Sequence, residues 1–170
     1  MKIVLIGYMG SGKSTVGNLL AKKMNLAFLD LDQAIEEQEK IPVPQIFEQH
    51  GEIYFRKKET EALKRLLAEK EDMVLAAGGG TPCYGHNMDN IEKSTAKSIY
   101  LKLSIQALVE RIRHEKAERP LVSSLADEDF PEFIGKHLFE RTPFYERADE
   151  VVFCDGKTPE EIVDEILSSL

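Results

Sequence analysis

The chain has 170 residues, 42% hydrophobic and 31% charged, with a formal net charge of −8, the length and mix of one soluble globular domain with its own core. The acidic balance argues against a nucleic-acid binder, which needs a basic face for its phosphate contacts. It leaves room for a small anionic ligand held by a few arginines.

Residues 2–6 form a short apolar run and read as a strand. The opening MKIVLIGYMG faintly resembles a signal peptide, but its apolar run is too short and residues 10–13 interrupt it. The run leads into GYMGSGKST, in which Gly7-x-x-x-x-Gly12-Lys13-Ser14 matches the P-loop pattern in full, with a strand before it and a helical stretch, 13–24, after it. The glycines let backbone N–H groups turn inward onto phosphate oxygens, and the positive end of the helix favours the anion. Lys13 can reach the outer phosphates and Ser14 can offer its hydroxyl to Mg²⁺. A P-loop serves GTPases, ATP-driven machines and small kinases alike. The Asn-Lys-x-Asp element of a GTPase is missing and 170 residues leave little room for a motor's extra parts, so a small-molecule kinase is favoured.

The next predicted strand, 26–29, runs into FLDLD. Asp30 and Asp32 are two apart and would share one face of an extended chain. One could support a Mg²⁺ shell through water and the other accept a hydrogen bond from a substrate hydroxyl; alternatively, Asp32 merely caps a helix beginning near Gln33. Residues 32–51 carry no strand signal, are acidic and contain IPVP. They read as an excursion over the strand ends, where open α/β sheets bind ligands. Arg56 opens a helix over 54–69 and, taken alone, reads as a solvated arginine. The strand at 73–77 ends in Gly78, Gly79 and Gly80, which permit either close approach of a ligand or a flexible turn. A strand at 98–103 and a helix at 104–116 lead into a second charged excursion, 113–129, holding Arg119 in ERPLV. Arg141, in LFERTPFYERAD, precedes Pro143 and Tyr145; arginine suits a bidentate grip on carboxylate or phosphate. A last strand, 150–153, is followed by a helix over 158–167 with Thr158 as N-cap, Pro159 in the first turn and Glu161 completing a capping box. Strands alternating with helices predict an α/β domain with a mainly parallel sheet, and the continuous apolar strands predict cover on both faces. Cys83 and Cys154 lack the spacing of a zinc site or disulfide framework and read as reduced thiols. No stretch approaches the ~20 apolar residues of a membrane span. A cytoplasmic monomer is expected, with neither nucleic acid nor membrane as partner.

In this order GYMGSGKST, FLDLDQAIE, GEIYFRKKE, GGGTP, ERPLV and RTPFYERAD resemble shikimate kinases, small P-loop kinases of the nucleoside-monophosphate-kinase type, from Ile3 to Asp149. The resemblance implies a three-layer P-loop kinase fold with a five-stranded parallel sheet in order 2-3-1-4-5 and helices on both faces. It implies one domain over 1–170, an acceptor-binding region at about 32–60 and a mobile lid at about 113–126. The implied reaction moves the γ-phosphoryl group of ATP to the 3-hydroxyl of shikimate. By the same match Lys13 and the backbone of Gly10, Ser11, Gly12, Ser14 and Thr15 hold the ATP phosphates. Arg119 reaches them from the lid, Arg111 stacks on adenine and Lys157 falls near the adenine loop. Ser14 binds Mg²⁺ with Asp30 in its outer shell, and Asp32, Arg56, Gly79 and Arg141 hold shikimate. Lys13, Asp32 and Arg119 form the implied catalytic set: the two cations with Mg²⁺ neutralise charge on the transferring group, and Asp32 orients the acceptor hydroxyl and takes its proton. The rival readings are a kinase for another polyol acid, such as gluconate, and an idle nucleotide-binding module. Two carboxylates and paired arginines favour an acceptor pocket over the idle module.

Overall fold

The computed structural model describes every residue except Ala117, Glu118 and Pro120, which fall within the expected lid. Among the described residues five strands, β1 (Lys2–Ile6), β2 (Ala27–Asp30), β3 (Met73–Ala76), β4 (Lys97–Lys102) and β5 (Glu150–Phe153), pair in parallel in the order β2-β3-β1-β4-β5. This is the order implied by the resemblance. Every residue of β1 and β3 is buried, which is why, apart from Lys2 at the start of β1, their sequences are apolar runs. Val4 is in register with Leu75 of β3 on one side and Ser98 of β4 on the other. The chain leaves β1 for β2 on one side of the sheet and later crosses to β4 on the other. The carboxyl ends of β1 and β3 therefore flank the crevice at which such sheets bind ligands.

Seven helices, again among the described residues, join the strands: α1 (Lys13–Met24), α2 (Leu31–Glu39), α3 (Val43–Ala68), α4 (Asn87–Glu92), α5 (Ile105–His114), α6 (Phe130–Tyr145) and α7 (Pro159–Ser169). The predicted capping box of α7 is present: Glu161 N–H donates to Thr158 Oγ1 at 3.2 Å and Thr158 N–H to Glu161 Oε2 at 2.7 Å. Ser104 caps α5 by a one-way bond, its hydroxyl accepting from Ala107 N–H. Gly17 of α1 lies under the ring of Phe28, where a Cβ would stand 2.5 Å from Cε2. That close approach brings the end of β2 beneath the start of α1.

Two stretches go beyond the expectation. Residues 32–51 carry no strand, as expected, and are mostly helical, a content the excursion reading leaves unspecified. Gly51, at φ 83° and ψ 174°, breaks α3 into two helical segments, a left-handed backbone that glycine adopts without strain. The predicted helix at 54–69 is only the second of these. Helix α6 had no clear signal in the sequence. Pro131 stands in its first turn, where no intrahelical donor is lost, and Pro143 in its last. Cys83 is half-buried and Cys154 buried, and both are unpaired. Among the described residues, no helix is long and apolar enough to cross a membrane.

Candidate active site

The loop between β1 and α1 curls over the sheet's carboxyl edge. Gly10 and Gly12 take φ of 78° and 91°, values that leave only glycine unstrained. The ammonium of Lys13 is turned onto its own loop, donating to the carbonyls of Gly7 at 2.7 Å and Tyr8 at 3.0 Å. Burial pulls its pKa down to about 8, against the opposing pull of Asp32. It remains mainly charged near pH 7, and an anion brought to the loop would hold it so.

Asp30 closes β2 and caps α2. Its Oδ1 accepts from the N–H groups of Asp32 at 3.0 Å and Gln33 at 3.2 Å, while its Oδ2 accepts from the Ser14 hydroxyl at 3.2 Å. Two expectations are corrected here. The helix cap is Asp30, not Asp32. The pair does not share a face of extended chain, because Asp32 already belongs to the first turn of α2. The carboxylates nevertheless line one cleft. Burial, followed by repulsion from Asp30 and Glu59, pushes the Asp32 carboxyl up to about 6.

The three glycines after β3 are required by what lies against them. None of them has φ in the left-handed region. A Cβ on Gly78 would stand 2.9 Å from Thr81 Oγ1 and 3.2 Å from Asp32 Oδ1; on Gly79, 3.2 Å from Arg141 Nη1; on Gly80, 2.7 Å from Arg56 Nη2. The turn is a seat for one carboxylate and two guanidiniums rather than a flexible link. Arg56 is fixed further: Nη1 donates to Glu59 Oε1 at 2.8 Å, and its guanidinium carbon stands 4.0 Å over the Tyr84 ring. Glu59 is itself buried and accepts from Thr81 Oγ1 at 2.7 Å. Arg141 has no carboxylate within ion-pair distance among the described residues; its guanidinium carbon lies 5.8 Å over the ring of Tyr8. Tyr145, buried one helical turn beyond Arg141, donates to Gly79 O at 2.5 Å.

A cleft of about 540 Å³ is lined by Gly10, Ser11, Gly12, Lys13, Ser14, Thr15, Asp30, Asp32, Gly79, Arg111, Arg119 and Lys157. Twelve of the residues singled out in the sequence thus meet in one place. Arg111 Nη1 donates to Gly10 O at 3.3 Å, and Arg119 Nε to Glu115 Oε2 at 2.8 Å. Lys157 pairs with Glu165. The remaining two, Arg56 and Arg141, do not line this cleft but rest against the glycine turn. Sequence reasoning missed Glu59, Tyr8 and Glu115, and named Tyr145 only as a neighbour of Arg141. Glu59, three residues after Arg56, and Glu115, four before Arg119, each carried the spacing of a local ion pair.

A P-loop between the first strand and helix of a 2-3-1-4-5 sheet, with a carboxylate and arginines facing it across the crevice, defines a P-loop kinase of small molecules. The family model for shikimate kinase matches residues 9–170. A shikimate kinase from Flavobacterium psychrophilum is 47% identical over 165 residues, 97% of this chain and 96% of its own. The crystal structure of shikimate kinase from Bacteroides thetaiotaomicron superposes with a TM-score of 0.91 at 33% identity, covering 100% of this chain and 99% of that one. Shikimate kinase from Acinetobacter baumannii, solved in complex with shikimate, gives 0.88 at 32% identity, covering 99% and 91%. The chain belongs to the shikimate kinase family.

Proposed function

We propose that this chain is the ATP-dependent enzyme that phosphorylates the 3-hydroxyl of shikimate, giving shikimate 3-phosphate and ADP. The observation that carries the reading is the position of Asp32, between the phosphate loop and a glycine turn on which two arginines rest. Phosphate donors are handled on one side of that carboxylate. On the other, Arg141 offers a planar fork without a carboxylate of its own among the described residues, as a substrate carboxylate requires.

The roles follow from the chemistry. The N–H groups of Gly10, Ser11, Gly12, Ser14 and Thr15 and the Lys13 ammonium hold the phosphates. Arg119 neutralises charge on the transferring group once released from Glu115. Arg111 and Lys157 flank the base. Arg141, Arg56 and the Gly79 backbone hold the acceptor. Asp32, with a proton affinity close to neutrality, stays mostly ionised at pH 7 yet is a stronger base than an ordinary carboxylate. It orients the acceptor hydroxyl and takes its proton. The oxygen donors of Ser14 and Asp30, 3.2 Å apart, suit Mg²⁺, which is held by few protein groups and completes its shell with phosphate and water. Bound there, the ion would screen the β- and γ-phosphate charge. We take residues 1–170 as one domain, 32–60 as the acceptor region, 113–126 as the lid, and the protein as a cytoplasmic monomer. A coupled ADP-release assay across shikimate, quinate, gluconate and nucleoside monophosphates tests the reading. Shikimate should be preferred, and a preference for gluconate would overturn the acceptor assignment.

A further inference from the structure

Arg141 stands midway along one face of α6. His137 is one turn before it and Tyr145 one turn after, a spacing of four that stacks all three side chains. Both neighbours are tied to the sheet edge. Tyr145 donates to Gly79 O. His137 Nδ1 lies 2.9 Å from the hydroxyl of Tyr8, the rings meeting edge to face at 5.4 Å. Tyr8 is 1% exposed and belongs to the phosphate loop, where its carbonyl accepts from Lys13 Nζ and from Ser11 N–H. Its ring also lies beneath the Arg141 guanidinium. One residue therefore touches the phosphate-binding lysine through its backbone, the acceptor-side arginine through its ring and helix α6 through its hydroxyl. Phe133, a further turn back, braces His137 with ring centroids 5.6 Å apart. Burial and the nearby Arg141 lower the His137 pKa, against the opposing pull of Glu140. The ring is therefore neutral near pH 7, and a single hydrogen bond joins its Nδ1 to the Tyr8 hydroxyl.

We propose that Tyr8 and His137 are a positioning pair that fixes Arg141, and with it the acceptor's carboxylate, at a set distance from the phosphate loop. The inference rests on the reading of Arg141 as the carboxylate grip. Without the Tyr8–His137 bond α6 keeps its core packing through Phe130, Ile134 and Tyr145 but loses its tie to the phosphate loop, and the fork of Arg141 can shift relative to Lys13. In-line transfer tolerates little such movement, since a displacement of about 1 Å can cost 10²-fold. Neither Tyr8 nor His137 needs to touch a reacting atom.

The test is steady-state kinetics with each substrate varied separately, together with melting temperatures, for Tyr8→Phe, His137→Phe, the double variant and His137→Gln. Tyr8→Phe and His137→Phe keep the ring packing and lose only the hydrogen bond. Each is expected to raise the shikimate KM about fivefold or more, leave the ATP KM within about twofold and move the melting temperature by no more than about 2 °C. The double variant should be no worse than either single one, because both remove the same bond. His137→Gln, whose side-chain oxygen can accept from Tyr8, should recover to within about twofold of the parent. Shikimate KM values unchanged in both phenylalanine variants would overturn the proposal. So would an ATP KM that rises in step, or effects that multiply in the double variant. Failure of the functional reading looks different: the parent itself would lack shikimate turnover, and the role of the pair would fall with it.

Discussion

Replacing Asp32 by asparagine should make the protein more stable at neutral pH while removing most of its activity. The carboxyl sits at about 6 against an ordinary value of 3.8, with burial the main cause and the charges of Asp30 and Glu59 adding to it. The folded state thus binds the proton more tightly than the unfolded chain. Between roughly pH 4 and 6 stability falls as pH rises, and above 6 the full cost of the buried charge is present. That interval corresponds to about 3 kcal/mol at 1.36 kcal/mol per pH unit. Asparagine recovers only part of it, because Lys13 loses the nearby anion that helps to keep it charged. A gain of about 1–2 kcal/mol at pH 7.5 is expected, shrinking towards zero near pH 4. In activity the parent's kcat/KM for shikimate should fall below about pH 6, approaching tenfold per pH unit, as the base is protonated. The asparagine variant should lack the limb and turn over about 10²-fold or more slowly, with ATP affinity nearly unchanged. Denaturant melts at pH 4.5 and 7.5 and pH–rate profiles of both proteins provide the check. A variant that keeps the acid limb would assign it to a substrate instead, and a variant less stable than the parent at pH 7.5 would refute the account of Asp32 as a charge held against burial.

Lys13→Met should leave the melting temperature close to the parent's and abolish nearly all turnover; activity within about twofold would remove Lys13 from phosphate handling. Arg141→Lys keeps the charge but loses the fork, so kcat/KM for shikimate should fall about tenfold or more, with ATP KM little changed. Equal activity would show that no bidentate contact is made. Gly80→Ala introduces a Cβ 2.7 Å from Arg56 Nη2, the far end of a movable side chain. Arg56 should be displaced, stability should fall because the buried Glu59 loses its guanidinium, and shikimate KM should rise about tenfold; KM intact would mean that the backbone, not Arg56, gives way.

The phosphate loop was legible as structure because its shape lies in neighbouring residues: the glycines that allow the turn and the strand and helix on either side. The sheet was legible for a similar reason, since β1 and β3 are covered on both faces and their sequences record nothing but burial. Where a local signal had two readings, the structure took one that depended on remote partners. GGG read as ligand approach or flexible turn, yet each glycine is held by a side chain brought in from elsewhere, Asp32, Arg141 or Arg56. Helix α6 was illegible because its apolar stripe is confused by Phe139, which is 81% exposed, and by a proline in its last turn. The face that matters carries His137, Arg141 and Tyr145, polar or amphipathic residues that a search for apolar periodicity passes over. They are kept on that face by single hydrogen bonds to Tyr8 and Gly79, both more than 60 residues away. The phosphate loop is written in one continuous segment, whereas Arg111, Arg119 and Lys157 reach the same cleft from far along the chain. Arg56, Arg141 and the glycine turn meet only after the fold has closed, which brings together residues from α3, α6 and the end of β3.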